Sequence, residues 1–151
     1  MEVKVKAEIR EATADDIEMV MEIEELSFEN PWSEFSFMNE LRNPVTRFYV
    51  VEVEDKVRGF VIFWYIDDEI HIANLAVHPE KRRMGLGRML LEKVIKEAKE
   101  NGILYIYLDV NSKNEEAKKL YFKYGFEVVG VRKKYYNNRD DALLLTKKIE
   151  S

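Results

Sequence analysis

The chain has 151 residues, 46% of them hydrophobic, which suits one well-filled core and is too short for two ordinary domains, so a single domain is expected. A net charge of −5 and an isoelectric point near 5.3 argue against a general nucleic-acid binder, which needs a surplus of cations on one face. Without cysteine there can be no disulfide, cysteine nucleophile or thiolate metal site, and with only two histidines no metal is expected; no signal-peptide core and no run near the ~18 residues of a membrane span is present, so a cytoplasmic protein with no membrane partner is expected.

Residues 7–11 alternate like a short strand, and Thr13-Ala-Asp-Asp16 offers a cap and acids for the first turn of a helix with Ile17, Val20, Met21 and Glu24 on one face. Pro31 breaks that helix, and Ser33 can cap a second one carrying Phe37, Met38 and Leu41. Between them Phe28 and Trp32 either close the core or line a substrate groove. Residues 47–53, 57–65 and 69–77 are three β-rich runs joined by short turns, which implies an antiparallel meander.

The run at 72–77 is stopped by Pro79, and a basic turn leads to Gly85-Leu86-Gly87. Apolar residues then recur at Leu86, Leu90, Leu91, Val94, Ile95 and Ala98, the spacing of a helix with one buried stripe, and the run ends at Asn101-Gly102. The start of a helix attracts anions through its unpaired amides and dipole, and glycines there let a phosphate come close. Lys81, Arg82, Arg83 and Arg88 crowd the same end, so the stretch reads as a pyrophosphate cradle with arginines at its rim. A Rossmann cofactor loop is a rival, since Asp109 falls about 20 residues on, where its ribose-binding acid should lie. Its third glycine would be Leu90, however, and residues 78–83 separate strand from loop where the Rossmann turn is immediate. A P-loop is excluded because no Gly-Lys-Ser/Thr follows.

The helix must cross over into a strand at 103–110, a parallel neighbour of the run at 69–77, so the sheet is mixed. Along that strand Leu104, Ile106, Leu108 and Val110 face one way, and Ile103, Tyr105, Tyr107 and Asp109 the other. Asp109 is either paired structurally or placed for proton transfer. Asn114 caps a further helix with Ala117, Leu120, Tyr121 and Tyr124 on one side, which stops at Gly125; Tyr121 is either a core tyrosine or reaches the crevice beside Asp109. Residues 126–130 and 142–149 read as a final antiparallel pair.

Arg82-Arg83-Met84-Gly85-Leu86-Gly87 resembles the acetyl-CoA signature of the GNAT N-acetyltransferases, Arg/Gln-x-x-Gly-x-Gly/Ala. Tyr107-Leu-Asp-Val110, Asn114, Ala117, Leu120-Tyr121 and Tyr124-Gly-Phe126 match the second half of that family in order and spacing. Arg132 to Tyr136, Asp140-Asp-Ala142 and the segment Phe28-Glu29-Asn30-Pro31-Trp32-Ser33 resemble its peptide-acetylating branch, which includes the ribosomal-protein alanine N-acetyltransferases and the archaeal protein N-terminal acetyltransferases. The likeness runs from about Ile9 to Ile149.

The resemblance implies an α/β (α+β) fold, with a mixed, mostly antiparallel sheet flanked by helices and splayed between the strands at 69–77 and 103–110 to admit acetyl-CoA. It implies that backbone groups of Leu75, Ala76 and Val77 bind the pantetheine and polarise the thioester carbonyl. Arg82, Arg83, Met84, Gly85, Leu86, Gly87 and Arg88 would hold the pyrophosphate, and Asn114 the pantetheine arm. Asp109 would accept the proton of a protein's N-terminal α-amine, and Tyr121 would protonate the departing CoA thiolate. The bacterial members carry Glu where this chain has Asp109, a side chain longer by one methylene, which keeps His71 and Glu29 as alternative bases. The resemblance equally allows Glu29 to bind the amine or initiator methionine, and Tyr135 and Tyr136 would close over the peptide backbone. The implied partners are protein or peptide N-termini, those of ribosomal proteins among them. Two other readings stay open: acetylation of lysine or small amines, distinguished by the loops at 28–36 and 133–141, and a non-catalytic acyl-CoA sensor or partner subunit, which would need neither Tyr121 nor a carboxylate at 109.

Overall fold

The computed structural model describes residues 6–82 and 84–150. Strand β1 (Ala7–Glu11) is followed by a 3-10 turn (Ala14–Asp16), helices α1 (Ile17–Ser27) and α2 (Glu34–Arg42), and strands β2 (Thr46–Val53), β3 (Lys56–Ile66) and β4 (Glu69–Val77). A second 3-10 turn (Pro79–Lys81) then precedes α3 (Leu86–Glu100), β5 (Tyr105–Asn111), α4 (Glu115–Lys123), β6 (Glu127–Tyr136) and β7 (Asp140–Lys148). The strands bond in the order β1-β2-β3-β4-β5-β7-β6, a seven-stranded sheet. Strands β4 and β5 are parallel, paired from Glu69↔Tyr105 to Ile72↔Leu108, while β1–β2, β2–β3, β5–β7 and β6–β7 are antiparallel. The mixed, mostly antiparallel sheet is the one expected.

Local chemistry explains the boundaries. Thr13 occupies the cap position, but the turn closes through Asp16, whose Oδ2 accepts the Thr13 N–H at 2.8 Å. The same carboxylate accepts Arg10 Nη1 and Nη2 at 2.8 Å each, which holds its pKa below the ordinary aspartate value despite burial. Ser33 caps α2, its Oγ accepting the Ser36 N–H at 3.1 Å. Glu54 and Asp55, at φ 52° and 67°, make the tight β2–β3 turn whose mirror-image twist suits a hairpin.

The chain folds as two compact units. One comprises the residues through Trp64 together with Asn74–Val94. Its core holds an aromatic stack in which Phe37 meets Phe60 edge-on at 5.7 Å and Phe48 at 6.2 Å, and Val20, Ile23, Leu86, Leu90, Leu91 and Val94 are buried as well. The other comprises Tyr65–Ala73 and Ile95 onward, with Ile70, Ile95, Ala98, Ile106, Leu108, Val110, Tyr121, Phe126 and Leu145 buried. The predicted stripe of α3 is buried throughout, from Leu86 to Ala98.

Three expectations need correction. On α1 the interior position next to Glu24 belongs to Ile23, with Met21 half-buried. The alternation of β5 holds only from Tyr105: Ile103 is buried and Leu104 is 48% exposed, because both precede the strand and their amides are committed to Ala98 O and Asp68 O. The last hairpin is longer than 126–130 with 142–149, and residues 133–136 continue β6 rather than forming a loop.

Gly59 on β3 is tightly enclosed. A Cβ there would stand 3.0 Å from Val51 Cγ1, 3.1 Å from the Ala76 carbonyl oxygen and 3.3 Å from Leu90 Cδ1. Since the carbonyl belongs to a sheet strand and cannot yield cheaply, Gly59→Ala should destabilise the fold by about 1–3 kcal/mol rather than stiffen it. A denaturant midpoint equal to or above the wild-type value would contradict this packing.

Candidate active site

The first unit carries the basic loop. Pro79 and the 3-10 turn end β4, with His78 Nδ1 accepting the Glu80 N–H at 3.1 Å. Gly85 stands at φ 80° just before α3, a conformation only glycine adopts without strain. The Met89 N–H bonds Gly85 O at 3.0 Å, and the amides of a helix's first turn lie ahead of its own ladder and point out of its start. Arg88 Nη2 lies 3.5 Å from where a Gly85 Cβ would be, placing a guanidinium at the same end, and Glu92 is 3.9 Å from its Nε. A glycine turn, open amides and an adjacent cation are what a pyrophosphate requires.

The other predicted cradle residues divide. Leu86 is buried as a core residue, Gly87 is half-buried in the first helical turn, and Met84 is 42% exposed. Arg82 is bound back onto the protein, its Nε donating to Val77 O at 3.2 Å and its Nη2 to Ser27 Oγ at 3.3 Å. Arg83 lies outside the described residues. On β4, Ala76 and Val77 are buried and Leu75 is half-buried. In the α1–α2 loop Phe28 is 38% exposed and Glu29 is exposed, whereas Trp32 is half-buried with its ring 5.4 Å from Phe37. Trp32 therefore closes the core and Phe28 faces out.

In the second unit the even residues of β5 are buried, and Asp109 is exposed on the face of Tyr105 and Tyr107. His71 shares the tyrosine neighbourhood: its ring is 5.3 Å from that of Tyr107, and its Nε2 is 2.8 Å from Glu69 Oε2. Tyr121 is 6% exposed and meets Phe126 edge-on at 5.5 Å. Burial, then the neighbouring Tyr136, pushes the Tyr121 phenol above the ordinary tyrosine range. Tyr136 is pushed up to about 12 by burial first, then by the negative charge of Asp109 and by Tyr135, with Arg132 opposing. Tyr136 thus responds to the charge of Asp109, and Tyr121 responds to Tyr136. Tyr135 is 53% exposed, edge-on to Tyr136 at 5.1 Å and 5.4 Å from the Arg132 guanidinium. Asn114 is foremost a cap, its Oδ1 accepting the Ala117 N–H at 3.1 Å.

Two features escaped the sequence reading. Asn137 and Asn138, at φ 53° and 55°, turn the β6–β7 hairpin that presents both tyrosines; an Asn-Asn pair tolerates that conformation and could have marked the turn. Buried Glu24 and Asn74 bond each other at 2.8 Å, and a lone carboxylate on an apolar helix face was the available signal. Among the described residues no group of three or more His, Asp or Glu gathers as a metal site, and no helix is long and apolar enough to cross a membrane.

Fold and site together define an acetyl-CoA-dependent N-acetyltransferase. The model of the acetyltransferase (GNAT) family matches residues 17–126, and the chain belongs to that family. A Bacillus subtilis relative, provisionally named a ribosomal protein bS18-alanine N-acetyltransferase, is 37% identical over 144 residues, 94% of this chain and 95% of its own. An N-alpha-acetyltransferase of Sulfurisphaera tokodaii is 30% identical over 150 residues, covering 91% and 90%. The crystal structure of the ribosomal-protein-S18-alanine N-acetyltransferase from Escherichia coli superposes with a TM-score of 0.90 at 30% identity, over 97% of this chain and 96% of that one.

The raised Tyr136 phenol carries a prediction for alkaline pH. Its folded pKa of about 12 exceeds the ordinary 10.0, so above pH 10 the unfolded chain releases this proton first and stability falls as pH rises towards 12. Tyr136→Phe should flatten that fall, as measured by denaturant unfolding at stepped pH. An unchanged alkaline slope would mean that Tyr136 titrates normally.

Proposed function

We propose that this chain, acting as one acetyltransferase domain, transfers acetyl from acetyl-CoA to the N-terminal α-amine of polypeptides by direct attack in a ternary complex. The observation that carries the reading is the grouping of exposed Asp109 and buried Tyr121 around Tyr136, on the hairpin assigned to the peptide: Tyr136 is raised by burial first and then by Asp109, and Tyr121 by burial first and then by Tyr136. The naming of the Bacillus, Escherichia and Sulfurisphaera relatives for alanine or α-amine acetylation supports it, and extends the acceptor class to ribosomal-protein N-termini.

An α-amine has a pKa of about 8 and must lose its proton to attack, a task for Asp109, which is exposed and so reachable. Backbone groups of Leu75–Val77 and the amides at the start of α3 hold the acyl-CoA. The nitrogen bonds to the acetyl carbon, the C–S bond breaks, the thiolate takes a proton from Tyr121, and the second proton that the nitrogen sheds on becoming an amide restores the phenol. A phenol held above the ordinary range keeps its proton at neutral pH, which suits an acid and not a base. Phe28 and Glu29, exposed in the α1–α2 loop, and Tyr135 and Tyr136 would contact the peptide.

The deciding assay presents peptides with varied first and second residues alongside N-terminally blocked, lysine-containing controls. Acetylation confined to free α-amines is expected, and preferential labelling of the blocked controls would move the acceptor to lysine. In the same assay Tyr121→Phe should lower kcat by about 10²–10⁴-fold with acetyl-CoA affinity and Tm little changed. Near-normal kcat with chemistry rate-limiting would return Tyr121 to a packing role.

The base is tested by comparison. Asp109→Asn should lower kcat/KM by about 10²-fold or more and alter the acidic limb of the pH profile, while Glu29→Gln should chiefly raise KM for peptide. The reverse pattern would assign the base to Glu29.

A further inference from the structure

Of the side chains that α1 turns inward, Ile17, Val20 and Ile23 are apolar and the fourth, Glu24, is a carboxylate only 1% exposed. A buried acid persists only where its oxygens are bonded, and both are. Oε2 accepts the Trp32 N–H at 2.9 Å and Oε1 accepts Asn74 Nδ2 at 2.8 Å. The two donors lie 42 residues apart in sequence, at meaningful places. Trp32 belongs to the loop between α1 and α2 that also holds Phe28 and Glu29, while Asn74 immediately precedes Leu75–Val77 on β4.

A second strap runs parallel to the first. Ser27, the last residue of α1, accepts from Arg82, whose Nε is bonded to Val77 O. The final turn of α1 is therefore tied to both ends of the stretch from Asn74 to Arg82. Both donors to Glu24 are neutral amides, so bonding geometry and not charge neutralisation is what the carboxylate supplies.

We propose that Glu24 is a positioning residue for acetyl transfer: it fixes the α1–α2 loop against the β4 segment Leu75–Val77, so that the loop's peptide contacts and the backbone holding the acyl group keep one spacing. The inference rests on the acceptor assignment made above. Glu24 touches neither substrate, and its effect passes through Trp32 and Asn74. Fixing two reacting partners relative to each other is worth most in the step that joins them, so loss of the clamp registers on peptide kcat/KM more than on acetyl-CoA affinity.

The test uses the full-length enzyme with Glu24→Met, Glu24→Gln and Asn74→Ala, measuring kcat and KM for a peptide acceptor, acetyl-CoA affinity by calorimetry, and Tm. Methionine matches glutamate in size but accepts neither bond, so peptide kcat/KM per folded molecule should fall by about tenfold or more, with a smaller loss in Asn74→Ala. Glutamine keeps both bonds if the Asn74 carboxamide turns over, so it should stay within about threefold of wild type. Wild-type kcat/KM in Glu24→Met and Asn74→Ala, or a loss in Glu24→Gln as large as in Glu24→Met, would overturn the proposal. If Glu24→Met does not fold, Asn74→Ala decides: wild-type kcat/KM overturns the proposal and a selective loss supports it. Should the wild-type enzyme leave peptides untouched, the acceptor assignment fails and not the clamp, and the same three variants are then compared on the amine it does accept.

Discussion

Four parallel residue pairs, Glu69↔Tyr105 to Ile72↔Leu108, set a condition that the rest of the molecule has to meet. Parallel neighbours cannot be joined by a hairpin, so the chain must leave β4, travel the length of the sheet and return, and a helix is the compact way to do it. That obligation puts a strand end, a loop and a helix start in succession between His78 and Leu86. The helix start brings unpaired amides and a positive dipole end whatever residues follow. Gly85 and Arg88 then make this point suitable for a bound anion. The topology prepares the anion site, and a few side chains specialise it.

The acids divide by what surrounds them. Asp16 is bonded by Arg10 and lies below the ordinary aspartate range, whereas Glu24 is pushed up by burial and held by two amides. Glu97, buried on α3, accepts the Tyr65 hydroxyl at 2.7 Å. Asp16 ties neighbouring segments, whereas Glu24 and Glu97 join elements distant in sequence. Asp109 differs from all three, being exposed on a strand whose even-numbered side chains are buried. Its surroundings leave it within reach of a substrate.

Much of this was legible in the residues. The caps at Ser33 and Asn114, the buried stripe of α3, the meander of β2 to β4 and the parallel return of β5 follow from local rules that tertiary packing did not override. What escaped was of two kinds. Phase errors occurred where a strand had not yet begun: Ile103 and Leu104 look like β5 but take their hydrogen bonds from the helix end and from Asp68. Long-range partners were invisible because nothing local announces them. Glu24 and Asn74 are 50 residues apart, and Arg82, which reads as a free rim cation, spends its donors on Val77 and Ser27. Side-chain composition suggested a site, and only the fold could say which of its members were already engaged.

One further consequence belongs to β6, the last strand in the sheet order and exposed along nearly its whole length. Val128, Val129 and Val131 are about half-exposed there, and an unguarded apolar strand with open amides invites a second chain to add to it. The register slips between Val128 and Gly130 and again between Arg132 and Tyr136, and Lys134 is in the left-handed conformation at φ 52°. Lys133 and Lys134 place charge on the second slip. A kinked, cationic border is a poor template for straight pairing, which guards the strand that displays the two tyrosines against edge-to-edge addition.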